Sequence, residues 1–130
     1  MFLITKFGSE FVDPNDSDKG TIKDSGRKNM LKSIDASLKR LQTDHIDGYL
    51  MHWDDRVGTP IEETIGCMKE LKAAGKVRFL GMSNLERELA DRLLADGVLD
   101  IVQYPYNMVN RTKEDVLKYY ASQGCGTMGY

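Results

Sequence analysis

The sequence has little cysteine, no long apolar run and no excess of either charge. Its two cysteines, Cys67 and Cys125, lie far apart, a spacing that fits neither a disulfide framework nor a metal site. No apolar run approaches the roughly 20 residues that a membrane-spanning helix needs, and the start MFLITKFGSE lacks the regions of a signal peptide. Its 18 basic and 20 acidic residues are mixed along the chain, which leaves no basic face for nucleic acid or anionic lipid. We therefore expect a cytoplasmic protein with buried, reduced thiols and with no metal, nucleic-acid or membrane partner.

The sequence does have a regular alternation of apolar strand-like runs and amphipathic helical segments. With 130 residues, 41% apolar and 29% charged, the chain is large enough for one globular core. The alternation predicts a parallel sheet, because parallel neighbours need a crossover helix between them. The polar stretch 8–26 is predicted to be a rim loop. Strands are predicted at 2–7, 46–51, 77–82 and 99–104 with a fifth begun at GTMGY, and helices at 26–41, 60–74, 85–95 and 113–123.

Three helix starts carry residues that are typical of N-caps. Ser25 precedes the first helix, and Thr59 and Thr112 precede the second and the fourth. Glu62 and Asp115 follow these threonines by three residues, which predicts two capping boxes.

Four strand-like runs end on polar residues that can do chemistry. The run FLITK ends at Lys6, IDGYLMH at His52, VRFLGMSN at Ser83 and Asn84, and LDIVQ at Gln103. In parallel barrels the sites lie at the carboxyl ends of the strands, so we expect these side chains to share one end of a barrel. Each residue type also has a plainer interpretation: a solvent-facing lysine, a rim histidine, an N-cap or a loop-bonding glutamine.

Four longer blocks of the sequence follow one another from about Phe2 to Tyr130: SLKRLQTDHIDGYLMHW, GKVRFLGMSN, DIVQYPYN and GCGTMGY. In this order they resemble the aldo-keto reductases, a family built on an eight-stranded (β/α) barrel that reduces carbonyls with NADPH. The family has no glycine-rich dinucleotide turn, and no G-x-G-x-x-G follows a strand here. The resemblance implies an α/β fold, a partial (β/α)8 TIM barrel with roughly strands three to seven over residues 1–130.

The resemblance also implies roles for the strand-end residues. Lys6 corresponds to the lysine that lowers the pKa of the family's tyrosine acid, and His52 to the histidine that holds and polarises the substrate carbonyl. Ser83, Asn84 and Gln103 correspond to the residues that bind the nicotinamide carboxamide.

Two aromatic residues complete the implied site. Tyr130 corresponds to the tyrosine that stacks on the nicotinamide ring. Trp53 is either a wall of the substrate pocket or an ordinary rim aromatic. Asp54 follows it where the family frequently has proline, which changes the loop.

The family's catalytic aspartate and tyrosine have no counterpart in this sequence. They precede the third strand, and Tyr49, Tyr104 and Tyr106 lie at other positions than the acid. The resemblance therefore implies an NADPH-dependent oxidoreductase of aldehydes or ketones that is inactive as this 130-residue chain. One alternative is a non-catalytic nucleotide-binding or protein-interaction module, and another is a barrel enzyme that uses Lys6 as a Schiff-base amine.

An incomplete barrel has a physical consequence for association. It exposes two strand edges and the apolar side chains that further strands would cover. We therefore expect the isolated chain to self-associate through its exposed barrel edges, by dimerisation or aggregation, or to be a weakly stable monomer.

Overall fold

The computed structural model describes residues 1–13, 15–16 and 19–130. Within them, the five predicted main strands and four predicted helices are confirmed, and the polar stretch 8–26 also contains a small antiparallel hairpin. Residues 14, 17 and 18 of that stretch lie outside the described ranges. The elements are β1 (Ile4–Phe7), β2 (Glu10–Phe11), β3 (Thr21–Ile22), α1 (Arg27–Leu41), β4 (Ile46–Met51), α2 (Ile61–Ala73), β5 (Val77–Ser83), α3 (Arg87–Ala95), β6 (Ile101–Tyr104), α4 (Glu114–Ser122) and β7 (Gly126–Gly129).

The five main strands form one sheet in the order β1-β4-β5-β6-β7, and every pair is parallel. Apart from the hairpin, strands that follow one another in sequence are neighbours in space. This consecutive order is that of a barrel wall, whereas a doubly wound sheet reverses its order at a switch point. The prediction of an α/β fold with a parallel sheet is confirmed.

Side chains alternate between the two faces of the sheet, as the pleat requires. One face packs against the helices in a single core, whose strand members include Tyr49, Leu80, Met82, Val102 and Tyr104. The alternate residues lie on the opposite face, which we call the open face. There a Cβ at Gly48 would lie 3.0 Å from Ile4 and 3.2 Å from Ile101. The open-face set is Ile4, Lys6, Gly48, Leu50, Phe79, Gly81, Ser83, Ile101, Gln103 and Met128.

The amino-terminal half of the open face is apolar and partly exposed. The rings of Phe2 and Phe79 stack with centroids 5.9 Å apart, although the two residues are 53% and 37% exposed. Ile4 lies beside them in a shallow apolar cleft. Among the described residues of the open face, polar side chains lie only towards the carboxyl ends of the strands. The open face therefore has an apolar half and a polar half.

Gly81 is the point of closest approach between β5 and β6. It pairs with Ile101, and a Cβ at this position would lie 2.9 Å from the carbonyl carbon of Ile101 and 2.8 Å from Cδ2 of Leu50. Real Cβ atoms do not approach backbone so closely, and backbone cannot move aside as a flexible side chain can. The register of β5 and β6 therefore requires glycine here.

The predicted side-chain N-caps are wrong. In α1, α2 and α4 another residue occupies the N-cap position and makes no side-chain capping bond. Two of the predicted capping groups are engaged elsewhere: the Ser25 hydroxyl donates to Asp55, and the Thr112 hydroxyl donates to Asn110. The backbone amide of Thr59 also donates to Asp55. Each of these three helices begins one residue later than its predicted cap implies.

The Asp55 carboxylate joins the loop after β4 to the start of α1. Its Oδ1 accepts hydrogen bonds from the amides of Val57, Gly58 and Thr59 at 3.0, 2.8 and 2.9 Å. Its Oδ2 accepts the amide and the hydroxyl of Ser25 at 2.8 and 3.1 Å. Burial acts to raise the pKa of Asp55, but the hydrogen bonds from the Ser25 and Thr59 amides outweigh it, so this pKa lies below its ordinary value.

Cys67 and Cys125 are both buried and free, as predicted, and burial raises the pKa of each thiol. In the described part of the chain, no group of three or more histidine, cysteine or acidic residues is placed to hold a metal ion. No helix within the same ranges has the length and apolar character needed to cross a bilayer.

We predict that Gly81→Ala lowers the free energy of unfolding by about 3 kcal/mol, because the new methyl group forces β5 and β6 apart. Gly66→Ala is the matched control, since Gly66 lies in α2 with open space at its Cβ position. That substitution should stabilise the chain by up to about 1 kcal/mol. Urea unfolding measures both, and an equally small effect at the two positions would contradict the close approach.

We predict that Asp55→Asn lowers the free energy of unfolding at neutral pH by about 2 kcal/mol, because the charged acceptor of several amides is lost. Since the folded-state pKa of Asp55 is lowered, its contribution is present above the unfolded pKa of about 3.9 and is lost as the pH falls through the folded pKa.

The difference between the native chain and this variant should therefore shrink in acid. The control Asp44→Asn, at a side chain 95% exposed, should change the unfolding free energy by less than about 0.5 kcal/mol. A difference for Asp55→Asn that does not depend on pH would be the contrary result.

Candidate functional site

One cleft at the carboxyl end of the open face brings the predicted site residues together. Its volume is about 320 Å³. Parallel pairing explains the grouping, because Ser83 pairs directly with Gln103, and the amide of His52 donates to the carbonyl of Phe7 at 3.0 Å in continuation of the β1–β4 ladder. The cleft is lined by the seven side chains of Lys6, His52, Trp53, Ser83, Asn84, Gln103 and Tyr130.

Four of these side chains form a relay of hydrogen bonds, which we call the polar relay. The Tyr130 hydroxyl donates to Oδ1 of Asn84 at 2.7 Å, and Nδ2 of Asn84 donates to the Ser83 hydroxyl at 3.1 Å. The Ser83 hydroxyl donates in turn to Oε1 of Gln103 at 3.1 Å. Within the described residues, Nε2 of Gln103 has no hydrogen-bond partner, so the relay ends on a free amide donor at the cleft.

The backbone at Asn84 explains how two successive residues both reach the cleft. Ser83 is the last residue of β5 and is 1% exposed, whereas Asn84 adopts a left-handed conformation with φ of 59°. Asparagine tolerates this region better than most residues. The amide of Asn84 donates to the carbonyl of Gln103 at 3.0 Å, which extends the β5–β6 pairing by one residue. Because α3 begins only at Arg87, the interpretation of Ser83 or Asn84 as an N-cap is wrong.

Tyr130 lies at the edge of the cleft and is held by its backbone. Its amide donates to the carbonyl of Tyr104 at 3.3 Å, and its carbonyl accepts the amide of Tyr106 at 2.9 Å and the side-chain amide of Asn107 at 3.2 Å. The residue is 55% exposed. Its hydroxyl is therefore anchored to the polar relay while much of the side chain stays accessible.

The opposite side of the cleft is cationic. Burial first, and then the neighbouring charges of Lys6 and Lys23, hold the pKa of His52 below its ordinary value. The imidazole is consequently neutral at pH 7, with one N–H available to a ligand oxygen. The His52 and Trp53 rings contact one another, with centroids 5.2 Å apart.

Lys23 is a residue of this side that the sequence did not single out. Its Nζ lies 4.3 Å from the centroid of the Trp53 ring, a cation–π contact. Burial and the charge of Arg56 lower its pKa. Lys23 belongs to the polar stretch predicted as a rim loop, and no local pattern signals that this stretch returns to the site.

The strand tyrosines lie away from the cleft. Tyr49 is fully buried, and its hydroxyl contacts the carbonyl of Met30 at 3.4 Å. The Tyr104 hydroxyl donates to the carbonyl of Leu85 at 2.8 Å, and burial, followed by the charge of Glu86, raises the pKa of Tyr104 to about 12. Among the residues that line the cleft, Tyr130 is the one tyrosine, and it belongs to the polar relay.

The chain is similar to characterised reductases in sequence. It is 44% identical over 97 residues to the aldo-keto reductase YhdN of Bacillus subtilis, which covers 75% of this chain and 29% of that protein. It is 35% identical over 102 residues to the NADH-specific methylglyoxal reductase of Escherichia coli, which covers 77% of this chain and 31% of that protein. The chain thus spans about a third of the length of these relatives.

Solved structures of the same kind superpose on the whole chain. The glycerol dehydrogenase AKR11B4 of Gluconobacter oxydans matches with a TM-score of 0.90 and 31% identity, covering 99% of this chain and 39% of that one. An aldo/keto reductase of Klebsiella pneumoniae, in complex with NADP and acetate, matches with a TM-score of 0.74 and 32% identity over 98% of this chain and 41% of that one.

These structures confirm that the five-stranded sheet is part of a (β/α) barrel. The model of the aldo/keto reductase family matches residues 1–130, the full length of the sequence. The resemblance seen in the sequence is therefore confirmed, and the chain belongs to the aldo/keto reductase family.

Proposed function

We propose that this chain is the central part of a reductase that transfers hydride between NADPH and a small aldehyde or ketone in the cytoplasm. The observation that carries the proposal is the single cleft that combines a polar relay on one side with Lys6 and neutral His52 on the other. An enzyme that transfers hydride between a nicotinamide cofactor and a carbonyl needs both sides of such a cleft. One side orients the cofactor, and the other holds the carbonyl.

The polar relay fits a nicotinamide ring. The ring carries a carboxamide, which has both a donor and an acceptor, beside a flat aromatic face. The free amide of Gln103 suits the carboxamide oxygen, and the hydroxyl and amide oxygens of Ser83 and Asn84 suit its NH₂ group. Tyr130 offers an accessible ring at the edge of the same cleft.

NADPH rather than NADH is the cofactor that we propose, on the family resemblance. The Klebsiella pneumoniae structure contains NADP, whereas the Escherichia coli relative is named as NADH-specific. The seven residues of the cleft would bind the nicotinamide end that both cofactors share.

Lys6 and His52 would act on the substrate carbonyl. When bound, NADPH supplies the hydride. His52 donates a hydrogen bond to the carbonyl oxygen and so stabilises the negative charge that develops there. Lys6 adds a positive charge in the same cleft, which favours the charged form of a neighbouring acid. By resemblance, the tyrosine acid and its aspartate precede the first strand, so the 130-residue chain would bind without turning over.

A second candidate function is a non-catalytic nucleotide-binding module. The observation in its favour is that the strand tyrosines Tyr49 and Tyr104 are turned away from the cleft, so neither can donate a proton there. For the chain by itself we also propose self-association, which the exposed Phe2 and Phe79 and the sheet edges at β1 and β7 support.

We predict that Gln103→Leu and Ser83→Ala each raise the dissociation constant for NADPH by about tenfold. Gln103→Leu removes the amide that would bind the carboxamide, and Ser83→Ala removes the hydroxyl that orients the Gln103 side chain. Quenching of NADPH fluorescence on titration with protein measures this. Gln123→Leu, on an exposed glutamine outside the cleft, is the control and should leave the constant unchanged. Unaltered NADPH affinity in both cleft variants would refute the carboxamide assignment.

We predict that the chain does not oxidise NADPH in the presence of nitrobenzaldehyde, although it binds the cofactor. Absorbance of NADPH over time measures turnover. Measurable turnover would show that the acid is present in this chain. In that case Lys6→Met and His52→Ala should each lower kcat/KM by at least about 100-fold. Variants with the kcat/KM of the native chain would refute the roles proposed for Lys6 and His52.

A further inference from the structure

Two cations lie beside Trp53, one of the residues that line the cleft, and we call them the cationic rim: Lys23, which contacts the indole ring, and Arg56, whose charge acts on Lys23. The Lys23 ammonium lies 4.3 Å from the centroid of the Trp53 ring. The Arg56 amide donates to the Lys23 carbonyl at 2.9 Å, which holds the two backbones side by side. The rim is thus built by a contact between two separate loops, the one before α1 and the one after β4.

Neither Lys23 nor Arg56 forms an ion pair in the described part of the chain, where the ion pairs involve other lysines and arginines. Two nearby acids are engaged elsewhere: Asp24 accepts the amide of Gly26 at 2.8 Å, and both oxygens of Asp55 accept hydrogen bonds from loop amides. Asp54 lines a different cleft, where its Oδ1 is buried without a hydrogen-bond partner among the described residues, and the charge of Arg56 acts on it. Within those residues, Lys23 is therefore the member of the rim that faces the cleft without an acidic neighbour.

Positive charge therefore accumulates at one side of the site. Lys6 and Lys23 both act on His52, and Arg56 acts on Lys23. Like charges that are partly withdrawn from water repel one another, and an anion between them would relieve that repulsion. Contact with the Trp53 ring keeps the Lys23 ammonium beside the cleft.

We propose that the cationic rim selects carbonyl substrates that carry a carboxylate or a phosphate at the end away from the reacting carbonyl. This inference rests on the proposed function, in which His52 holds the carbonyl. Trp53 contacts both His52 and Lys23, so a short substrate can lie along the indole with its carbonyl at one and its anionic group at the other. The cleft volume of about 320 Å³ suits a substrate of a few carbon atoms.

Trp53 is the single tryptophan of the chain, so tryptophan fluorescence reports directly on this contact. We would titrate the chain with levulinate and with its neutral analogue methyl propyl ketone, and with dihydroxyacetone phosphate and dihydroxyacetone, at constant ionic strength. The anionic member of at least one pair should bind about fivefold or more tightly than its neutral partner. The pair with the larger preference distinguishes a carboxylate from a phosphate.

Variants assign the preference to the rim. Lys23→Gln should abolish it, and Lys23→Arg should retain it. Lys28→Gln, at an exposed lysine of α1, should leave it intact. Arg56→Gln should weaken it and provides a second variant should Lys23→Gln fold poorly. Bound anion should also raise the pKa of His52 in an NMR titration, because it offsets the charges of Lys6 and Lys23.

Equal binding of charged and neutral analogues, or a preference that survives Lys23→Gln and Arg56→Gln, would overturn the inference. NADPH titrations of the same proteins separate it from the proposed function. Loss of anion preference with intact NADPH binding in Lys23→Gln supports a rim that recognises substrate. Anion preference in a native chain that does not bind NADPH would keep the rim and refute the cofactor assignment.

Discussion

Parallel pairing of β4, β5 and β6 decides where the polar groups at the carboxyl ends of these strands lie. In this register Gly81 faces Ile101 and Ser83 faces Gln103, so the apolar and polar halves of the open face line up across the strands. The pairing depends on the absence of a side chain at Gly81, where a Cβ would meet the backbone of β6. A slip by one residue would turn Ser83 and Gln103 towards the helices and disperse the cleft.

The same cleft contains two different electrostatic environments. On one side, neutral hydroxyl and amide groups satisfy one another in the polar relay and leave one amide of Gln103 free. On the other, burial and then the charges of Lys6 and Lys23 lower the pKa of His52, because a third positive charge in a partly buried place is costly. Such a division suits a reaction in which an uncharged ring is oriented on one side and negative charge develops on the other.

Much of this arrangement could be predicted from the sequence, because periodicity and strand-end chemistry are local signals. The runs that end at Lys6, His52 and Gln103 become strands of one sheet, and parallel topology alone is enough to bring their ends together. The helix caps could not be predicted in this way, since Asp55, distant in sequence from Ser25, competes for its hydrogen bonds.

Two further features depend on contacts that no local pattern encodes. In the sequence, Gly81 is an ordinary residue of a predicted strand. Its role is visible only in the structure, where a Cβ at this position would meet the backbone of Ile101. In the sequence, Lys23 is one polar residue of a predicted loop. It reaches the site because that loop folds back to Trp53. In both cases the missing information is tertiary: it resides in the distance between elements and not in the order of residues within one.

We propose that the cleft at the carboxyl ends of the strands receives a nicotinamide ring beside the polar relay. NMR mapping of backbone and side-chain amide shifts tests this, with the isotope-labelled chain titrated with reduced nicotinamide mononucleotide. We expect the largest shifts at Ser83, Asn84, Gln103 and Tyr130, with little change at Phe2 and Phe79 on the apolar half of the open face. Shifts centred on that apolar half, or no shifts at saturating ligand, would contradict it.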